Sequence, residues 1–169
     1  MRILDRSSLA VTVGVAIASA VLLTGCASSG IKDLTLVSRP PVGTTVDNGA
    51  PGDSIGDILV FTAEVTKDGQ PFGHLFGTKL LVAMPGQNGA PEDMGIHQNQ
   101  LTFVLPDGTI QVGGVQDYPV GGAKPGDKVP VATRPITGGT GAYAGASGVL
   151  TTTETGDAGD RTQQFDFMP

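Results

Sequence analysis

The chain is poor in most of the residues that commonly carry chemistry. It has one cysteine, Cys26, so no internal disulfide can form. It has two histidines, His74 and His97, with no His-x-His or His-x-x-x-His spacing to offer a metal paired ligands. Neither a metal site nor any other cofactor is expected. Charged residues are only 15% of the 169 and sum to −6. The lysines and arginines are scattered, which removes the electrostatic footprint of a nucleic-acid partner. No Ser/His/Asp spacing and no phosphate-binding loop is present, which excludes ordinary hydrolase and nucleotide chemistry. Beyond the first segment, no stretch carries a convincing helical period, and the one helix candidate, 141–147, is a single turn at most.

What the chain does have begins at its first residues. Arg2 and Arg6 precede Leu9 to Leu23, a run of 15 residues without a charge. A spanning helix needs about 20 apolar residues, so this run predicts a signal-peptide core instead of a permanent anchor. It ends Leu23-Thr24-Gly25-Cys26, which resembles the lipobox of bacterial lipoproteins. The resemblance implies a diacylglycerol on the Cys26 thiol and cleavage just before that residue. The membrane lipid held through Cys26 is then the first expected partner, and the expected location is the bacterial cell envelope, on the extracytoplasmic face. Removing residues 1–25 takes away a net +1, which leaves 144 residues with a charge of −7.

Glycine is abundant (26) and so is proline (12), placed between short apolar stretches as in a many-turned β domain. Residues 26–52 read as a lipidated tether, with one strand signal over 31–37, stiff Arg39-Pro40-Pro41 and a turn-rich 47–53. From 53 to 169 strand patterns follow one another over 57–66, 72–84, 98–105, 109–116, 129–137, 148–154 and 162–168. Lys67-Asp68-Gly69 and Pro106-Asp107-Gly108 mark hairpins, and 138–143 reads as a turn. The expected fold is all-β, a small antiparallel up-and-down (calycin-like) β-barrel of about eight strands that closes to hide its edges.

The stretch from Pro135 to Gly148, with Thr137-Gly138-Gly139-Thr140-Gly141-Ala142-Tyr143 at its centre, resembles a glycine turn of the allene oxide cyclase and dirigent-like barrels. Gly56-Asp57-Ile58-Leu59-Val60-Phe61 is similar to an early strand of those families, and the hairpin of Leu101-Thr102-Phe103 with 108–112 falls in their order. The resemblance implies a hydrophobic lumen in which an unsaturated lipid or phenolic metabolite is steered to one product. It departs from the plant cyclases at Leu34-Thr35-Leu36-Val37, where they place a Glu and an Asn. It departs from dirigent proteins at Ala144 and Ser147, where they carry Arg.

In the 58–66 strand, Leu59, Phe61, Ala63 and Val65 share one register and Ile58, Val60, Thr62 and Glu64 the other. The all-apolar register is expected to face the lumen, so that Leu59 and Phe61, with Phe103 and Tyr143, would line a ligand cavity. Catalytic candidates are Glu64, if it turns inward, an Arg134–Asp117 pair, and Tyr143. Three functions compete: a lipid-anchored barrel binding a small hydrophobic ligand or a partner, a cyclase or isomerase, and a structural envelope protein that forms homo-oligomers. Ionisable groups at one depth in the lumen would favour the second.

Overall fold

A computed structural model of the chain describes residues 34–123, 129–155 and 159–169. Its strands are β1 (Leu34–Ser38), β2 (Val42–Val46), β3 (Ile58–Lys67), β4 (Gln70–Ala83), β5 (Gly95–Leu105), β6 (Gly108–Tyr118), β7 (Ala132–Gly141), β8 (Gly148–Thr155) and β9 (Asp160–Phe167). From β3 to β9 each strand pairs antiparallel with the next, and β1 returns to pair with both β9 and β3. Eight strands thus close the barrel, and β2 is an extra strand laid on β3. Cys26 and the signal segment lie outside the described residues.

The barrel begins earlier than the tether reading places it. β1 and β2 lie within 26–52, and both follow the same edge of β3, with Ser38 opposite Val65 and Val46 opposite Ile58. The physical reason is the alternation in β1: Leu34, Leu36 and Ser38 face inward and are buried. Arg39-Pro40-Pro41, read as stiff linker, is the corner between them, held by the Arg39 amide donating to the Glu64 carbonyl at 2.9 Å. The expected turn over 138–143 also shifts. Gly138 to Gly141 continue β7, opposite 108–111, and the turn follows.

Local chemistry explains the hairpins. Asp68 and Gly69 both take positive φ, 50° and 76°, the mirror-image turn whose twist matches paired strands. At Gly139 a β-carbon would meet the carbonyls of Thr109 and Tyr143, so only glycine lets the turn fold back. That turn delivers Tyr143 into the core, where its ring stacks on Phe167 with centroids 6.4 Å apart.

The two ends of the barrel differ. At the end carrying the tight hairpins 67–70, 105–108 and 141–148, the lumen is filled by Leu36, Phe103, Ile110, Leu150 and Phe165, all fully buried. Each such side chain contributes about 1.5–3 kcal/mol through its removal from water. The opposite end, where β2 finishes and β3 starts, is framed by the loops 47–57, 84–94 and 119–123. Asp57 folds the first of these, its carboxylate accepting from the amides of Asn48 (2.8 Å) and Ser54 (2.7 Å). Those bonds hold its pKa below the usual carboxylate value. On the outside, Val42, Val60, Phe76 and Val104 stay exposed on adjacent strands and form an apolar stripe over β2 to β5.

Candidate functional site

On every barrel strand except β3, the inward register is apolar at the hairpin end and admits polar residues towards the open end. β4 places Leu75, Gly77, Lys79 and Leu81 on its lumenal side, so period-two alternation carries Lys79 inside with its apolar neighbours. The same rule brings in Asn99 from β5, Gln116 and Tyr118 from β6, and Arg134 from β7. It also brings Thr152 and Glu154 from β8 and Arg161 and Gln163 from β9. Phe61 forms part of the wall; its ring lies over Gly77, where any side chain would overlap it.

These groups form a connected band. Arg134 Nη2 donates to Gln116 Oε1, and Nη1 donates to Thr152 Oγ1 at 3.1 Å. Thr152 in turn donates to Gln163 Oε1 at 2.7 Å, and Gln163 Nε2 to Ser38 Oγ at 2.9 Å. The chain of bonds thus crosses five strands, β6, β7, β8, β9 and β1. Above it, the Tyr118 ring takes the Lys79 ammonium on its face, 3.5 Å from the centroid, while its hydroxyl accepts from Arg161 Nη2 at 3.3 Å. His97 approaches the same ring edge-on at 6.0 Å.

The electrostatics are unusual for an acidic protein. Among the described residues, Lys79, Arg134 and Arg161 line the cavity with a single carboxylate, Glu154. Lys79 is 8% exposed and Arg134 5%, yet among the described residues the one salt bridge is Arg39–Asp160, at 2.8 Å. Burial, then repulsion from Arg161 and Arg134, pushes the Lys79 ammonium down to about 7, against a smaller opposing pull from Glu154. Burial, then Arg161, lowers Arg134 to about 10. Burial and the neighbouring Lys79 lower His97. Three buried polar atoms of this region have no partner: Arg134 Nε, Asn99 Oδ1 and His97 Nδ1.

Two cavities meet here. The inner one, about 40 Å³, is walled by Phe61, Leu75, Leu101 and the polar band, and has room for a water or two. The outer one, about 430 Å³, opens between the 47–57 and 119–122 loops against Leu59, Leu81 and Val120. Lys79 and Tyr118 line both, so their cation–π contact stands where the two cavities adjoin.

The candidates named from sequence distribute as follows. Phe61 lines the inner cavity and Leu59 the outer one, whereas Phe103 and Tyr143 are packed into the core at the far end. Burial raises the Tyr143 pKa, with Asp107 adding to it. Glu64 is on the outer face opposite His74, as the register argument expects, and is removed from the lumen. The Arg134–Asp117 pair does not form: Asp117 points outward by the pleat, and its neighbour Gln116 takes the arginine instead. His74 and His97 fall on opposite faces, outside and inside, and do not converge. Gly52-Asp53-Ser54-Ile55-Gly56 spells a nucleophile-elbow pattern, but it lies in a loop that leads into a strand. The Ser54 hydroxyl there donates to the Asn48 carbonyl at 3.0 Å. Lys79, Gln116, Tyr118, Glu154 and Arg161 were not singled out from sequence. Their signal was a polar residue in an otherwise apolar register, plainest at Lys79.

Comparison with known proteins agrees with this architecture. Residues 42–165 match the model of the family described as allene oxide cyclase barrel like domain. No curated protein sequence matches the chain. Among solved structures, a pyocyanin demethylase is similar, with 24% identity over 80% of this chain and 99% of that one, at a TM-score of 0.61. A nonspecific heme-binding cyclase that catalyses [4 + 2] cycloaddition during neoabyssomicin biosynthesis has 20% identity, covers 85% of this chain and 70% of its own, and gives 0.61. The pterocarpan synthase dirigent protein GePTS1 has 17% identity over 90% and 93% of the two chains, at 0.55. At these identities the likeness is one of fold.

Proposed function

The chain belongs to the allene oxide cyclase barrel-like family, and from that premise we propose that its lumen binds a small, largely hydrophobic molecule. The observation that carries this reading is the set of unpartnered buried polar atoms, Arg134 Nε and Asn99 Oδ1, beside open space walled by Phe61, Leu75 and Leu101. A buried polar group without a partner is destabilising by about 1–3 kcal/mol, and a ligand that supplies the partner removes that penalty. The demethylase and the cyclase above are barrels of this shape that handle small molecules, which supports the reading. Native mass spectrometry of the mature protein, residues 26–169, purified from the producing organism and then extracted with solvent, is expected to reveal a stoichiometric apolar adduct that the solvent removes. An empty barrel that also refuses a panel of apolar dyes would remove the reading. The same spectra give the oligomeric state, and a homo-oligomer through the Val42, Val60, Phe76 and Val104 stripe would fit a structural role in the envelope.

A second reading, a cyclase or isomerase, is favoured by one feature. Lys79, lowered to about 7, can hold or release a proton near neutrality inside the same cavity that Glu154 lines. Its test is whether the extracted molecule is converted by the native protein and left unchanged by Lys79→Met.

We propose further that Cys26 carries the lipid anchor. Seven residues separate it from β1, a reach of at most about 25 Å. β1 starts at the hairpin end, so the anchor joins the barrel at that end. In detergent phase partitioning the native protein is expected in the detergent phase, and Cys26→Ser in the aqueous phase or as uncleaved precursor. A native mature protein whose mass shows no acyl groups would refute the anchor.

A further inference from the structure

On the ligand-binding reading above, we infer that the ligand is an amphipathic anion: a carboxylate seated among Lys79, Arg134 and Arg161, with its apolar body in the outer cavity.

The inference starts from an imbalance of charge. Among the described residues, three cations and one carboxylate line the inner cavity of a chain whose net charge is −6. A buried cation kept for stability alone is normally paired, because an unpaired one is destabilising by several kcal/mol. Arg134 instead donates to two neutral groups, Gln116 and Thr152, and keeps its Nε free. Lys79 has a tyrosine face in place of a carboxylate. Among the described residues, no carboxylate forms a salt bridge with either one. An anionic oxygen that reaches the cavity meets an unused Nε–H and an ammonium already at the boundary between the two spaces.

The direction of binding follows from the other charges. Asp47, Asp53 and Asp57 line the outer cavity, together with Leu59, Leu81 and Val120. An anionic head is repelled at that rim and attracted inward, whereas an apolar body is accepted by the outer walls. Rotation of Lys79 off the Tyr118 ring would join the roughly 40 Å³ and 430 Å³ spaces into one.

The charge of Lys79 makes binding pH-dependent. The groups facing it are Arg134, Arg161, Glu154, His97 and Tyr118. Burial and the two arginines lower the free protein's Lys79 to about 7, so above that pH the anion must bring a proton in with it.

The probe is fluorescent cis-parinaric acid, titrated beside its neutral methyl ester into the native protein, at pH 6 to 9. The acid is expected to bind about tenfold or more tightly at pH 6, the range for charge-assisted hydrogen bonds, and to lose that advantage as pH rises. Lys79→Met and Arg134→Met are each expected to weaken the acid about tenfold and the ester less, so that the acid's advantage shrinks. Equal binding of acid and ester to the native protein overturns the anion inference and leaves a neutral apolar ligand standing. Failure of both to bind overturns this inference together with the ligand-binding reading. The comparison on native protein stands whether or not a variant folds.

Discussion

Replacing Lys79 with methionine is expected to make the barrel more stable below neutral pH by about 3–5 kcal/mol. The cause is the buried ammonium, lowered from its ordinary 10.5 to about 7 chiefly by desolvation. A difference of 3.5 units corresponds to at most about 5 kcal/mol at about 1.36 kcal/mol per unit. The sign follows from proton counting. Below pH 7 the lysine is protonated both folded and unfolded, so the whole penalty falls on the native state. Between 7 and 10.5 the unfolded chain binds more protons than the folded one, and native stability rises with pH. The gap between Lys79→Met and the native protein should therefore be widest at pH 6 and close towards pH 10. Arg134 titrates in the same direction but is present in both proteins and cancels to first order. Urea unfolding at pH 6, 8 and 10 measures the gap; a gap that is absent, or that does not narrow, would mean that the ammonium is hydrated in the native state. The gain in stability should come with loss of ligand binding, the exchange expected where a charge is buried for function.

Phe165→Ala is expected to remove about 3–5 kcal/mol, a large share of the 5–15 kcal/mol typical of a domain. Phe165 is fully buried, meets Phe103 edge-on at 5.0 Å and has Phe167 stacked at 6.0 Å. It also lies opposite Leu34 on β1 and Leu150 on β8, so it packs at the seam where the last strand receives the first. Truncation leaves a cavity there that the surrounding strands, fixed by their hydrogen bonds, cannot collapse to fill. The midpoint of urea unfolding should fall with little change in slope. A loss below about 1 kcal/mol would show that the hairpin end is loosely packed and that closure rests on backbone pairing alone.

The strands, their hairpins and the inward face of β3 were legible locally. The register of Leu59, Phe61, Ala63 and Val65 against Glu64 needed no partner strand to read, because side chains alternate with a period of two. Asp68-Gly69 announced its turn by residue type, since few residues accept positive φ twice in succession. β2 was not legible: Gly43-Thr44-Thr45 has no buried side to reveal it, and all five of its residues are exposed. Its structure comes from pairing with β3.

The amino-acid sequence by itself determined an all-β chain of antiparallel hairpins, because turn chemistry and alternation act between neighbours a few residues apart. Only the tertiary structure decided that Leu34 pairs with Phe165, which closes the ring, and that Arg134 reaches Gln116 in preference to Asp117. It also decided that Lys79, Arg134 and Arg161 share one cavity. Each of those residues lies on a different strand, and alternation marks only that it faces inward, not which others it meets. Their common depth is set by the stagger of strands around a closed barrel, and so is the cost of burying them. That quantity belongs to the whole sheet and to no segment of it.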